Sequence, residues 1–324
     1  MVRRRRLDLR GRETDRGRLT PRLGRPRGGG RPHPGRNRHM SLRPRSPLLA
    51  AILALATGPA LADPHPDAEL VINDEIELAT RAPAPDHLKE VFDTVYSGWL
   101  FRTDETRALE MDDFDNPAMV FADMGVDLWN AADGSEGKSC ASCHEGIESM
   151  KGVRASMPKI NPAGNDIWSV ENFVNTCRTD RMGAEAWKWN SPQMKQMTSA
   201  ISLQSRGMPI SVKIDGPAEP YWEQGKEIYY TRYGQLELAC ASCHEVNMGK
   251  MIRADHLSQG QINGFPTYRL ADAGIVSIHQ RFSGCIRDTR GEPFEAGSPE
   301  FRALELYVAS RGMTLPVEGL AVRQ

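Results

Sequence analysis

The sequence predicts a mainly α-helical protein: two tandem copies of one unit, each with a long wrapping loop, preceded by a signal peptide. Three observations predict it. The hexapeptide CASCHE occurs at 140–145 and again at 240–245. The flanks of the two copies match, both in the helix before the hexapeptide and at a Ser-Pro helix start after it. Finally, residues 40–62 have a basic start, a short apolar stretch and a small-residue Ala-Leu-Ala end at Ala62.

The N-terminus comes first. Residues 1–46 are dominated by Arg, Gly and Pro, as in RRRR at 3–6 and GRPRGGGRPHPGR at 24–36, a composition that builds no core. In 40–62, Arg43 and Arg45 precede LLAAILALA, and cleavage is expected before Asp63. Met40 is the expected start, with 1–39 an over-extended reading. The apolar stretch is well short of the ~20 residues that span a bilayer, and no later segment is long and apolar enough. Without 1–62 the chain keeps 25 basic and 39 acidic residues, a net charge of −14 against −1 for the whole. An exported acidic protein argues against nucleic acid as a partner and favours partners with basic surface. The rest divides into an arm at 63–116 packing on the first unit, a first unit at 117–213 and a second at 214–324.

The repeat extends beyond the hexapeptide. MGVDLWNAADGSEGKSCASCHE (124–145) aligns without a gap on QGKEIYYTRYGQLELACASCHE (224–245), pairing Gly125 with Gly225, Trp129 with Tyr229 and Gly134 with Gly234. Each copy reads as an amphipathic helix, a turn and the motif, followed by a stretch rich in Gly, Pro and Asn that reads as loop. A closing helix starts at Ser191-Pro192 and at Ser298-Pro299, with Ser as N-cap and Pro at the first helical position. Met194, Met197 and Ile201 form its apolar face in one copy, and Phe301, Leu304 and Val308 in the other. Both closing helices are expected to run into Ser-Arg-Gly-Met, at 205–208 and 310–313, with Gly as the stop.

Each hexapeptide contains Cys-x-x-Cys-His, which in an exported protein reads as c-type haem attachment. Cys140 and Cys143, then Cys240 and Cys243, would bond two haems covalently, with His144 and His244 on the irons. A thioredoxin-like site would want a βαβ context, and a zinc site would not explain a His directly after both pairs. The fold class is therefore two tandem cytochrome c-like domains with long haem-wrapping loops.

The sixth ligand is usually a Met on the loop. Met150, Met157 and Met182 in one copy, and Met248 and Met251 in the other, share no position in the repeat; His256 and His279 are further rivals. The shared position holds a cysteine, Cys177 or Cys285. A disulfide, plain buried thiols and two thiolate iron ligands all remain open for this pair, and the repeat fits the last best. The copies differ around it. Arg281 stands four residues before Cys285, with Arg287 and Arg290 after it, where the first copy has Phe173. Arginine binds oxyanions and favours thiolate over thiol, so the second copy is equipped for an anionic sulfur substrate; haem propionate pairing or a solvated face is the bland alternative.

These residues resemble the SoxA family, the dihaem subunit of the SoxAX cytochromes of bacterial sulfur oxidation. The two CASCH motifs, Cys177 in NTCR, Cys285 in RFSGC, and SGWLFR (97–102) with ETRALEMDDFDNPAM (105–119) carry the resemblance over most of 70–315. It implies oxidative coupling of thiosulfate to a cysteine of the SoxYZ carrier protein, two electrons passing to cytochrome c. It implies Cys285 as the catalytic cysteine, thiolate or persulfide, and ligand of the second haem opposite His244. It also implies Arg281 as the substrate-binding residue, Cys177 opposite His144 on the first haem, a monohaem SoxX-like partner in a heterodimer, and a periplasmic location. The rivals are a dihaem electron-transfer cytochrome, a dihaem peroxidase and a thiosulfate dehydrogenase forming tetrathionate. Paired thiolates count against all three.

Overall fold

The computed structural model describes residues 67–324. The 1–39 extension, the signal peptide and residues 63–66 lie outside the described residues, which fall in one compact unit. The arm holds short strands at Leu70–Ile72, Ile76–Leu78, Arg81–Pro83 and Thr94–Tyr96, 3-10 turns at Asp86–Leu88 and Gly98–Phe101, and α1 (Asp104–Met111). The first copy comprises α2 (Met119–Asn130), α3 (Ala141–His144), α4 (Val170–Met182) and α5 (Pro192–Leu203). The second comprises α6 (Glu219–Tyr230), α7 (Cys240–His244), α8 (Ile278–Asp288) and α9 (Pro299–Arg311).

In each copy the first helix crosses the closing helix at a glycine. A Cβ on Gly125 would lie 2.2 Å from the Gln196 carbonyl oxygen, and one on Gly225 would lie 2.0 Å from that of Ala303. Those partners are each five residues past the Ser N-cap, so the two crossings share one register. Ser191 and Ser298 accept from the amides of Met194 and Phe301, as their Ser-Pro starts predict. Met194, Met197, Ile201, Phe301, Leu304 and Val308 are all buried. The α5 helix ends at Leu203, before Ser205, and Gly207 with φ +77° lies in the turn beyond; Gly312 caps α9 at φ −100°, without the left-handed stop expected.

The expected loop needs the main correction. Cys177 and Cys285 sit on helices, α4 and α8. Ser169 and Ser277, each eight residues before its cysteine, are the N-caps; the Ser169 amide donates to Asn172 Oδ1 and the Gln280 amide to Ser277 Oγ. The α4 helix stops at Gly183 in the left-handed region, φ +62°. Gly134 and Gly234, both at positive φ, press the turn before each motif onto the end of its cysteine helix. A Cβ there would lie 2.2 Å from the carbonyl oxygens of Met182 and Thr289. Amides of that turn donate to the same end: Glu136 to Met182 O at 3.1 Å, and Leu236 to Thr289 O at 3.2 Å.

The arm differs from expectation too. Its contacts run mainly to the second unit. Tyr96 N donates to Gln259 Oε1 (2.8 Å), Asn116 Nδ2 to Leu320 O (2.8 Å), and Arg102 Nη2 to His256 O (2.7 Å). Leu88 and Val95 pack with Leu315. With the first unit, Asp113 accepts two bonds from Arg206. The reason is the C-terminus: the strand Ala321–Arg323 pairs in parallel with Thr267–Arg269, and Glu110 of α1 accepts from Val322 N and Arg323 Nη1. The largest apolar core joins the copies, with Ala155, Ile167, Ile210 and Val212 packed among residues of α6 and α9.

Candidate functional site

The fold brings each helix cysteine to its own motif. Cys177 lies within electrostatic reach of Cys140 and Cys143, and Cys285 of Cys240 and Cys243. All six are free thiols. Burial pushes up Cys140, Cys177 and Cys243, and it pushes Cys240 up to about 12, with Cys285 adding to the rise.

His244 is set as a ligand. Its Nδ1 lies 2.9 Å from the Ser258 carbonyl oxygen. A carbonyl can only accept, so Nδ1 carries the hydrogen and Nε2 keeps its lone pair for a metal. Burial, then Arg281 and Arg311, depress the imidazole to about 4, leaving it neutral. Gly260, at φ +78°, backs the ring so closely that a Cβ would lie 2.8 Å from His244 Cγ. His144 is exposed, its ring 5.8 Å from that of buried Trp129, whose Nε1 donates to Glu145 O at 2.9 Å. Around Cys177 lie exposed Arg181 and Asp180, whose charges act on it in opposite senses, and groups that are neutral or already engaged. Phe173 meets Trp168 edge-on at 5.2 Å; Arg178 donates to Asp133 at 2.7 Å and lies 3.8 Å from the Trp187 ring.

Around Cys285 the charge is different. Half-buried Arg281, on the same helix, lies within electrostatic reach of Cys243, His244, Arg269 and Arg102. Arg269 also senses Cys285, and its Nε donates to Gln324 O at 2.8 Å. Arg102 is pushed down to about 9, by burial and then by Arg323, Arg281 and Arg269. Arg102 is held by Asp255, by His256 O and by Gly98 O. Guanidinium groups crowded at the cost of mutual repulsion mark a place suited to anions. Arg287 and Arg290 are exposed at the far end of α8. Arg102 and Arg269 were not singled out from the sequence. Arg102 closes SGWLFR, and only the fold carries it 180 residues forward to α8.

The residues fit haem at both motifs. Two thiols flank one short helical turn, an imidazole follows, and a third thiol faces them from a neighbouring helix. Beside the second motif, buried Nε and Nη2 of Arg311 and the hydroxyl of Tyr229 have no hydrogen-bond partner among the described residues, as donors to haem carboxylates would. Some rival ligands are otherwise placed. His279 spends both nitrogens on Glu305 and the Gly297 amide; Met157 and Met182 are core residues, and Met251 is exposed.

Comparison with known proteins shows the family. The family model described as SoxA/TsdA, cytochrome c domain, matches residues 124–210. The L-cysteine S-thiosulfotransferase subunit SoxA of Paracoccus pantotrophus is 61% identical over 279 residues, 85% of this chain and 96% of that one. That of Rhodovulum sulfidophilum is 57% identical over 85% of this chain and 97% of its own. The crystal structure of SoxXA from P. pantotrophus matches with a TM-score of 0.78 and 62% identity, covering 80% of this chain and 99% of that one. A repeated Cys-x-x-Cys-His motif, a helix cysteine for each copy and 57–61% identity over nearly the full length of named relatives leave one conclusion: this chain belongs to the SoxA family.

Proposed function

We propose that this chain joins thiosulfate to a cysteine of a carrier protein, with Cys285 and Arg281 at the centre. It acts as a subunit of an L-cysteine S-thiosulfotransferase, as its relatives are named. The observation that carries the site is the sharing of α8 by a motif-facing thiol and a guanidinium within an arginine cluster.

The overall change is balanced as follows. A carrier thiol and thiosulfate dianion give the S-thiosulfonate monoanion, one proton and two electrons, with one S–S bond formed. The electrons pass to cytochrome c. Cys240, Cys243, His244 and Cys285 would hold a haem that would supply one-electron redox chemistry, and the set Cys140, Cys143, His144 and Cys177 would hold a second. Arg281, supported by Arg269 and Arg102, neutralises the sulfonate end of the substrate and holds its outer sulfur toward Cys285. The Cys285 sulfur, as thiolate or persulfide, presents the contact for the incoming sulfurs. A SoxX-like monohaem subunit completes a heterodimer, and SoxYZ is the carrier. Export through 40–62 places the enzyme in the periplasm, and among the described residues no helix is long and apolar enough to cross a membrane. The electron-carrier, peroxidase and thiosulfate-dehydrogenase readings find no support in the relatives' names.

Low-temperature EPR of the haem-loaded chain with its partner subunit tests the ligand sets: two low-spin His/thiolate signals are expected, and His/Met or high-spin signals would reject them. Arg281→Ala should raise the KM for thiosulfate and lower turnover with both signals unchanged. Loss of the second signal in that variant would give Arg281 a structural role instead.

A further inference from the structure

The two cysteine helices meet at a buried polar cluster that the function above does not use. Eight residues before each cysteine stands a serine N-cap, Ser169 or Ser277, and six before it a buried polar side chain, Glu171 or His279. Between them lies Glu305 of α9, 6% exposed. Ser169 Oγ donates to Glu305 Oε2. His279 Nε2 lies 3.1 Å from the same oxygen. The Gly297 amide donates to His279 Nδ1 at 2.9 Å, so the ring hydrogen sits on Nε2 and points at the carboxylate. The ring is clamped by stacking on Trp189 at 4.7 Å and by the edge contact with Phe301 at 5.4 Å. Buried Arg154 faces both Glu305 and Glu171.

The repeat isolates Glu305 as the departure. Seven residues past its N-cap serine, α9 has Glu305; seven past Ser191, α5 has Thr198, whose hydroxyl donates back to Met194 O in its own helix. The second copy alone thus has a side chain that leaves its own helix and grips both cysteine helices near their starts. Six residues of helix, about 9 Å, separate Glu171 and His279 from Cys177 and Cys285. That is too far for contact with an iron and near enough to set where each helix lies.

We propose that Glu305 is a shared positioning residue: through Ser169 it fixes α4 and Cys177, and through His279 it fixes α8 and Cys285, so one carboxylate in the second unit governs axial ligation in both. The cluster's electrostatics agree. Burial pushes Glu305 up, but bonds from His279 and Ser169 and the charge of Arg154 more than offset it and hold Glu305 ionised. Burial and then Glu305 raise Glu171 to about 8, so Glu171 carries the proton of the pair.

The proposal rests on Cys177 and Cys285 being iron ligands, and the wild-type spectrum separates that failure from its own: absent His/thiolate signals reject the ligands, not the anchor. With the haem-loaded heterodimer, signals are assigned to each iron using Cys177→Met and Cys285→Met. Ser169→Ala is expected to split or shift the first iron's signal alone. His279→Phe should shift the second alone, with His279→Gln, which can donate to Glu305 from its amide, restoring it. Glu305→Gln should disturb both. The proposal is overturned if Glu305→Gln leaves both signals native, or disturbs only the second. It is also overturned if each single-arm variant disturbs both irons alike, which marks a global loosening. Should Glu305→Gln fail to load haem, the one-to-one pattern of Ser169→Ala and His279→Phe decides alone.

Discussion

The α4 and α8 helices start at matched serines, end against matched positive-φ glycines and present their cysteines to identical motifs, yet four residues before the cysteine one carries Phe173 and the other Arg281. Phe173 packs against Trp168, and the arginine next to Cys177 is tied to Asp133. Arg281 instead joins Arg102 and Arg269. The comparison teaches where each kind of information lies. What the copies share is the set of residues proposed to hold a haem; what they do not share is the charge proposed to meet a substrate. The departures are concentrated in the second unit and in the arm folded onto it.

Exchanging the proposed axial sulfur breaks the comparison most sharply. Haem axial ligands tune reduction potentials over about 0.8 V, and thiolate lies at the low end. Cys285→Met is expected to raise the second haem's potential by a few hundred millivolts and to lower thiosulfate-coupling turnover. Cys177→Met should raise the first haem's potential similarly with a smaller loss of turnover. Spectroelectrochemical titration beside steady-state assay checks both, and equal turnover losses would make the two units catalytically equivalent.

The sixth residue of CASCHE gives the next contrast. Glu145 is exposed, whereas Glu245 Oε1 accepts from fully buried Arg311 at 2.7 Å and from the Tyr230 hydroxyl at 3.0 Å. Removing one partner of a buried pair costs about 3–5 kcal/mol, and an isolated surface change about 0.5 kcal/mol or less. Glu245→Gln should therefore lower the denaturation midpoint strongly, and Glu145→Gln hardly at all, although both are the same change in the same hexapeptide.

Where the copies agree, their responses should agree. Gly125→Ala and Gly225→Ala each drive a methyl into a carbonyl oxygen of the crossing helix. Overpacking of this kind costs about 1–3 kcal/mol. Similar losses of stability in denaturant titrations would confirm that one crossing is used twice; a loss at one site only would show that the second crossing tolerates separation.

Much of this was legible in the sequence because it is local or repeated. The Cys-x-x-Cys-His turns, the Ser-Pro starts, the matched glycines and the Arg281–Cys285 spacing all lie within a few residues of one another. The helices around Cys177 and Cys285 are hidden in the sequence because Gly, Pro and Asn crowd the stretches before them, and VENFVNTCRTDR carries too few apolar residues to show a clear helical stripe. Its helix is specified instead by the cap at Ser169 and the stop at Gly183. Arg102, Arg269 and Glu305 were illegible for another reason: their partners lie far along the chain, as with Asp255 for Arg102 and Ser169 for Glu305. Only the docked arm, the parallel C-terminal strand and the packing of α9 against the first unit bring such groups together.

That docking offers the smallest effect and a way to sharpen the comparison. His87, in the arm, docks on the second unit. Its ring meets Trp222 edge-on at 5.4 Å, and its Nε2 lies 3.3 Å from Ser310 Oγ. Burial, then Arg311 and Lys226, push the imidazole from 6.5 down to about 4. The sign follows from linkage: as pH falls from 6.5 toward 4, a released His87 takes up a proton that the docked one refuses. The docking contribution is whole above 6.5 and fades toward 4. Amide hydrogen exchange in 84–96, corrected for intrinsic rates, should be faster at about pH 5 than at about pH 7 while α2 and α5 hold steady. His87→Gln, which keeps a donor for Ser310 and has no proton to gain, should flatten that dependence. An equal acid response in the variant would place the sensitive group elsewhere, and an equal response in α2 and α5 would show that acid loosens both units rather than the arm on one.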